Sequence, residues 1–402
     1  MSYSVSRNYW LLSLALFFFF LSWSFSYALF PIWLNQVVGI SIEKTGFVFS
    51  LNAISALFFM PFFGFIQDKL GLRRNLLIVI GGILVVSAPF FIFIYGPLLQ
   101  SNFYLGICLG ALFFSTAYLA GVGTIESYIE RYGRFAGFEF GQVRLWGSLG
   151  WCTAAFFSGS VFNINPDLNF CLASISAFLF LIAVLLVKPW KMPLMLDSGD
   201  LSSNSLVVED AMNLLKMKKF WWLALYVACV SCIATVYDQQ FPIYFSSLFP
   251  SREVGNEMYG YLNSVQVSLE VGGMLLAPAI VDRIGPKNGL LLTGAIMAIR
   301  IATSGFYIEP LFVASIKLLH AAELPLMLIS IFKYICANFD RRLSATLYLV
   351  AFQLTMQIVT SGLSIVAATM YKSLGFPLTY KLTGLLLVFS IFVSWNVLAD
   401  RK

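Results

Sequence analysis

The sequence predicts an all-α membrane protein with twelve transmembrane helices in two pseudo-symmetric six-helix bundles and both termini in the cytoplasm. Three observations predict it: an apolar composition, long apolar runs alternating with short polar loops, and a loop motif that occurs once in each half. Of 402 residues, 59% are hydrophobic and 11% are charged, Phe alone accounts for 40, and the mean hydropathy is +0.85. A soluble domain carries roughly a quarter of its residues as charges, so 25 basic and 19 acidic residues cannot cover a water-exposed surface. The net charge of +6 does not point to nucleic acid. The cations sit in short clusters between apolar runs, which is the cytoplasmic bias of membrane loops.

A helix needs about 20 apolar residues to cross the hydrocarbon. Runs of that order occupy 9–34, 45–65, 75–95, 103–126, 138–162 and 168–187 in the first half. In the second half they occupy 220–244, 259–280, 288–306, 311–336, 343–370 and 377–399. The first run is too long for the apolar region of a signal peptide and carries no convincing cleavage site, so it counts as a span. The longest polar stretch, 188–219, contains Asp197-Ser-Gly-Asp and Ser202-Ser-Asn-Ser. It divides the chain into an N-terminal bundle (1–187), a central cytoplasmic loop (188–219) and a C-terminal bundle (220–402).

Basic residues mark alternate loops: Arg7; Lys69, Arg73 and Arg74; Arg131 and Arg134; Lys188, Lys191, Lys216, Lys218 and Lys219; Arg283 and Lys287; Lys333, Arg341 and Arg342; Arg401 and Lys402. The intervening loops are nearly bare of them, and twelve spans with cytoplasmic ends satisfy that pattern. The six cysteines, Cys108, Cys152, Cys171, Cys229, Cys232 and Cys336, fall within or beside apolar spans. There a thiol packs as a small hydrophobe. Cys229-x-x-Cys232 has no companion ligands for a metal site.

The repeated motif reads Gly64-x-x-x-Asp68-Lys69-x-Gly71-x-Arg73-Arg74 after the second span and Pro278-x-x-x-Asp282-Arg283-x-Gly285-x-Lys287 after the eighth. An acid at a helix end beside a tight turn, answered by cations, would hold helix ends together while two bundles rock. Its duplication at matching topological positions resembles the major facilitator superfamily. That resemblance implies two six-helix bundles around a central cavity that opens alternately to either side, as in other carriers with parallel repeats.

Charge inside a span is costly and marks a pathway or site. Glu126, Arg144, Asp238, Glu270, Arg300, Lys317, His320 and Glu323 are the candidates, and His320 is the sole histidine. With that histidine neutral, four carboxylates face three cations, and one proton would neutralise the excess. This is the arithmetic of a proton-coupled carrier of an uncharged solute. Lys317, His320 and Glu323 recur every three residues, on one stripe of about 120°, which faces a cavity or another helix rather than lipid. Glu323 precedes Leu324-Pro325, where proline loosens the turn. It is the expected carrier of the coupling proton, with Arg300 discharging it and His320 linking it to the solute. A static salt-bridge network around Lys317 is the competing reading; it explains the pairing but not the surplus acid.

In the first half, Glu126 and Arg144 can bind sugar hydroxyls through paired hydrogen bonds, the guanidinium supplying a rigid fork. Trp151 lies two turns beyond Arg144 and can offer its indole face to the apolar face of a pyranose.

The whole constellation resembles the oligosaccharide–proton symporters: the lactose, raffinose and sucrose permeases. The resemblance rests on Gln67-Asp-Lys-Leu-Gly-Leu, Pro97-Leu-Leu-Gln-Ser-Asn-Phe, Phe138-Glu-Phe-Gly with Arg144, Asp238-Gln-Gln, Arg283-Ile-Gly-Pro-Lys-Asn, Ile296-Met-Ala-Ile-Arg300, Lys317-Leu-Leu-His-Ala-Ala-Glu-Leu-Pro and Phe332-Lys-Tyr. It implies that Glu126 and Arg144 contact the sugar, that Trp151 stacks on it, that Arg300, His320 and Glu323 serve proton coupling, and that Asp238 pairs with Lys317. The lactose type has a glutamate where Val267 stands here, whereas the sucrose type carries its carboxylate at Glu270, within Tyr259-Gly-Tyr-Leu-Asn-Ser-Val-Gln-Val-Ser-Leu-Glu270. Asn263 and Gln266 in that stretch are further sugar-contact candidates. An acid–lysine pair of the lactose type is replaced here by Thr235 and Met356, which strands no charge.

The resemblance therefore implies sucrose import with a proton, driven by the proton gradient without cofactor or metal, by a monomer in the bacterial inner membrane. Glu126 and Trp151 match galactoside carriers instead, and Val122, one turn before Glu126, would narrow the pocket, so lactose, melibiose or raffinose is the alternative. A drug–proton antiporter, a channel-like uniporter and a membrane enzyme or sugar sensor are the rival classes. The first two conflict with the Arg144–Trp151 pair and the proton set. Against an enzyme, no HExxH, nucleophile elbow or phosphate-cradling loop occurs, and no soluble domain is present for signalling.

Overall fold

The computed structural model describes residues 3–188, 216–339 and 347–399. Most of the central loop, with Lys191, and the basic residues Arg341, Arg342, Arg401 and Lys402 lie outside the described residues. Among those described the chain is helical, with no strand.

The helices follow one another with short connections: α1 (Arg7–Gln36), α2 (Ile42–Leu70), α3 (Asn75–Val85 and Ser87–Ser101, bent by 46°), α4 (Phe103–Ala136), α5 (Phe140–Ile164) and α6 (Pro166–Leu186). In the second half come α7 (Lys218–Ser246), α8 (Arg252–Ile284), α9 (Pro286–Ser304), α10 (Pro310–Asn338) and α11 (Tyr348–Val397). Among the described residues eight of these are long and apolar enough to cross a membrane, and α3 is a ninth if its bent halves form one span. The helices α5 and α9, which carry Arg144 and Arg300, are not among the eight. The runs expected at 343–370 and 377–399 lie, over the described residues, in α11, where two helices meet at a kink as Gly375 leaves the helical region at φ 77° and ψ 165°.

Local chemistry sets the boundaries. Ser41 caps α2 by accepting from Lys44 N at 3.3 Å, Asn102 caps α4 by accepting from Leu105 N at 3.2 Å, and Asn165 caps α6 by accepting from Asp167 N at 2.9 Å. Each satisfies a backbone donor that the first turn leaves open. Proline begins α6, α9 and α10, where its missing N–H costs nothing. Several helices outrun their apolar stretches. The fourth apolar run ends at Glu126, yet α4 continues to Ala136, because backbone hydrogen bonding does not stop where hydrophobicity does.

Two compact units form, one of residues 1–190 and 239–268, the other of 191–238 and 269–402. The end of α7 and the start of α8 thus belong with the first unit. Within it α1 packs on α5 and α6, α2 on α4, and α3 on α6. Close approach of α1 and α5 depends on Gly150, where an added Cβ would overlap the Phe17 carbonyl oxygen. Between hydrocarbon-exposed helices, packing rather than water exclusion drives association, so small residues sit at the contact. Within the second unit α9 packs on α10 and α11, and α11 against α7.

Candidate functional site

In the second unit α7, α9 and α10 bring Asp238, Arg300, Lys317, His320 and Glu323 into one network. Arg300 is completely buried and uses its whole fork. Its Nε donates to Glu323 Oε1 at 2.6 Å, while Nη1 and Nη2 donate to the two oxygens of Asp238 at 2.7 and 3.3 Å. Lys317 pairs with Asp238 Oδ1 as well, as the resemblance implies, but it shares that acid with Arg300. His320 Nδ1 lies 3.3 Å from Glu323 Oε2 and 3.5 Å from Asp238 Oδ2, and its Nε2 approaches Glu270 Oε1 of α8 at 3.8 Å. The histidine therefore touches three of the in-span acids. Glu323, like Arg300, has no exposed side-chain surface, and charges so placed persist only because each is paired and hydrogen-bonded.

The three-residue stripe crosses a loosened turn. Lys317 ends one helical segment and His320 begins the next. Leu319 N, Ala321 N and Ala322 N there bond carbonyls three residues back, at 3.0 to 3.1 Å. The irregularity expected at Pro325 thus lies before it, between the lysine and the histidine. Thr235 and Met356, at the positions of the absent acid–lysine pair, cause no polar conflict: Thr235 bonds Ser231 O at 3.0 Å, and Met356 Sδ lies 3.6 Å from Cys232 Sγ.

In the first unit Arg144 Nε sits 2.6 Å from Glu126 Oε1, both about a third exposed. The guanidinium lies over the Phe20 ring at 4.4 Å, and Trp151 meets Trp23 edge-on at 5.5 Å. Phe20 and Trp23 stand one turn apart on α1, so one face of that helix supports both Arg144 and Trp151. Cys152, next in sequence, is not simply a small hydrophobe, since its Sγ lies 3.1 Å from Ser264 Oγ and 3.0 Å from Ser268 Oγ. Asn263 and Gln266 are buried on α8.

The repeated motif pairs its acid in the same way in both copies. Asp68 at the end of α2 pairs with Arg131 of α4, and Asp282 at the end of α8 pairs with Lys333 of α10 at 2.6 Å. The acids are answered from another helix rather than by their neighbours: Lys69 lies over the Phe65 ring, and Arg73 and Arg283 are exposed. Arg74 donates to the carbonyls of Leu185 at 2.7 Å and Val187 at 2.5 Å, closing the end of α6, and Lys287 is half-buried. Gly71 and Gly285 have φ of 57° and 85°, a conformation that favours glycine. Gly64 faces open space.

Sequence reasoning missed the neutral partners. Tyr237, Phe20 and Trp23 carry no charge and do not stand out among 17% aromatics. It also missed Asn256, which is 2% exposed and uses its amide fully. Its Nδ2 donates to Gln36 Oε1 at 3.1 Å and Asn163 Oδ1 at 3.3 Å, and its Oδ1 accepts from Gln36 Nε2 at 3.2 Å and Ser246 Oγ at 2.9 Å. That one side chain ties α1, α5 and α7 to α8 within the first unit.

Helices of this length with a buried charge network point to a multi-pass membrane protein, and the fold agrees with solved carriers. The nucleoside transporter NupG superposes with a TM-score of 0.82 at 16% identity, covering 98% of this chain and 100% of that one. A D-xylose–proton symporter superposes with a TM-score of 0.69 at 14% identity, covering 99% of each. The architecture is the major facilitator fold. The family described as LacY proton/sugar symporter matches residues 1–402. The Escherichia coli sucrose permease is 40% identical over 382 residues, 94% of this chain and 91% of that protein. The Escherichia coli raffinose permease is 38% identical over 391 residues, 97% and 92%, and the Citrobacter freundii lactose permease 40% over 368 residues, 91% and 88%. The chain belongs to the LacY proton/sugar symporter family. It is a transporter and not an enzyme, and transport of this kind draws on the proton gradient without a cofactor.

Proposed function

We propose that this protein carries sucrose together with a proton into the cell, as a monomer in the bacterial inner membrane. The chain crosses the bilayer twelve times, with α3 as one bent span and α11 as two spans meeting at Gly375. Both termini are cytoplasmic, and the bundles 1–187 and 220–402 are joined by the loop 188–219. The motif pairs Asp68–Arg131 and Asp282–Lys333 tie helix ends while access alternates.

Sugar binding is assigned to Glu126, Arg144 and Trp151, with Asn263, Gln266 and Glu270 as further contacts. Coupling is assigned to Glu323, His320, Arg300, Lys317 and Asp238. The arrangement of Arg300 against Glu323 is the one expected of an ionised Glu323, after its proton has left. Arg300 and Lys317 face Asp238, Glu323 and Glu270, so with His320 neutral the group holds one surplus negative charge, which a single proton cancels.

The observation that carries the choice of sucrose is Glu270. It is the carboxylate position of the sucrose type, and its approach to His320 at 3.8 Å connects it to the coupling groups. The identity of Glu126 and Trp151 favours a galactoside such as lactose, melibiose or raffinose as the second reading. Competition decides between them: uptake of labelled sucrose is measured in cells lacking other permeases, with each galactoside and maltose as competitor. Inhibition by unlabelled sucrose alone supports the assignment, and failure to take up sucrose while accumulating a galactoside reverses it. Alkalinisation of an unbuffered suspension on adding sugar tests coupling; no rise with any of these sugars defeats it.

A further inference from the structure

Tyr237 immediately precedes Asp238 on α7 and is 2% exposed. Both cations of the coupling network lie over its ring: the Arg300 guanidinium carbon at 4.8 Å from the centroid and Lys317 Nζ at 5.8 Å. The ring is fixed at its edges. Its hydroxyl pairs with Ser304 Oγ at 2.9 Å, and Tyr380 of α11 packs against it at 4.7 Å. Ser304 in turn donates to the Arg300 carbonyl at 2.8 Å, so hydroxyl and guanidinium are referenced to the same turn of α9.

An aromatic face carries negative potential and attracts a cation most strongly where water is excluded. This matters when the proton arrives. With Glu323 neutral, Arg300 retains only Asp238 as an ionised partner, and Lys317 draws on the same carboxylate. The remaining charge then faces Tyr237. A ring compensates it without ionising and without moving, which no further carboxylate could do without altering the proton count. We infer that Tyr237 is a positioning residue for proton coupling: its ring face holds Arg300 in place while Glu323 exchanges its charge for a proton. This rests on the symport reading proposed above. The other charged or titratable groups around the ring are Asp238 on its own helix, His320 and Glu323 on α10, Glu270 of α8 through His320, and Tyr371 beside Tyr380 on α11.

Replacing Tyr237 by phenylalanine and then by mono-, di- and trifluorophenylalanine weakens the face potential in steps while barely changing ring size. The full chain is reconstituted in vesicles with whichever of labelled sucrose, lactose, melibiose or raffinose the wild type accumulates. The pH midpoint of proton-driven uptake is read relative to sugar exchange at the same pH, which reports folded, sugar-competent protein. A weaker face disfavours the state with an extra proton, so the midpoint should fall progressively from phenylalanine through the fluorinated series, by about one pH unit in all. A midpoint that stays at the phenylalanine value throughout would overturn the assignment, since packing alone is preserved. A full shift on Tyr237→Phe with none added by fluorine transfers the role to the hydroxyl bond with Ser304 and refutes the ring. A wild type that takes up no proton with any of the four sugars defeats the symport reading, and this role with it.

Discussion

Asp238 serves two cations at once, so its removal and that of Lys317 must be strongly non-additive. In the structure Arg300 donates to both its oxygens, at 2.7 and 3.3 Å, Lys317 pairs with one of them, and His320 stands 3.5 Å away. Asp238→Asn leaves Arg300 with Glu323 as its ionised partner and takes from Lys317 the carboxylate it pairs with. Removing one member of a buried pair costs about 3–5 kcal/mol. The Asp238 side chain keeps 24% of its surface exposed, which argues for about 3 kcal/mol, the lower end of that range. Lys317→Met removes a cation whose burial was itself costly and leaves Asp238 held by the Arg300 fork, so its cost should be about 1 kcal/mol. The double variant returns the group to its wild-type net charge, and the carbonyl oxygen of the introduced amide can still accept from Arg300. It should fall near the Lys317→Met value, giving an interaction energy of about 3 kcal/mol against a sum of about 4.

For a chain of this size a kilocalorie moves the melting temperature by about 1 °C. Asp238→Asn should therefore melt about 3 °C low and the double variant about 1 °C low. The assay is thermal unfolding in detergent, followed by a dye that reacts with the six cysteines as they become accessible. A double variant whose loss equals the sum of the single losses, within about 0.5 kcal/mol, would mean that the two groups do not share a network.

Other outcomes follow from the same geometry. Glu323→Gln should abolish uphill accumulation while sugar exchange across the membrane continues, because the fully buried carboxylate and not its shape carries the charge change; loss of both would assign it to binding. Arg144→Lys keeps the charge but loses the fork facing Glu126 and the stack on Phe20, so apparent sugar affinity should fall at least tenfold, about 1.4 kcal/mol, in equilibrium binding; unchanged affinity would remove Arg144 from the site. Asn256→Leu strands the amides of Gln36 and Asn163 and the hydroxyl of Ser246, groups that water partly rescues. A loss of about 2 kcal/mol, or about 2 °C in the melting temperature, is expected, and an unshifted melt would show that the four bonds contribute nothing.

The residue types of the site could be read from the chain because hydrocarbon makes each in-span charge conspicuous without reference to any other residue. Glu323, His320, Arg300 and Asp238 stood out in that way, and the three-residue spacing put Lys317, His320 and Glu323 on one side of α10. The repeated loop was visible for a similar reason, since its acid and glycine recur at fixed spacing.

Who answers whom was readable only in part. Asp238 serves Arg300 as well as Lys317, Asp68 and Asp282 find their cations on α4 and α10 rather than beside them, and Cys152 meets two serine hydroxyls. Tyr237 and Asn256 are neutral and gave no signal at all. Where a helix ends was also only half visible, as α4 shows by continuing past Glu126 to Ala136. Composition and spacing are local properties that a linear chain displays directly. Partnership depends on where helices far apart in sequence cross and how each is rotated about its axis, and only the packed structure sets those.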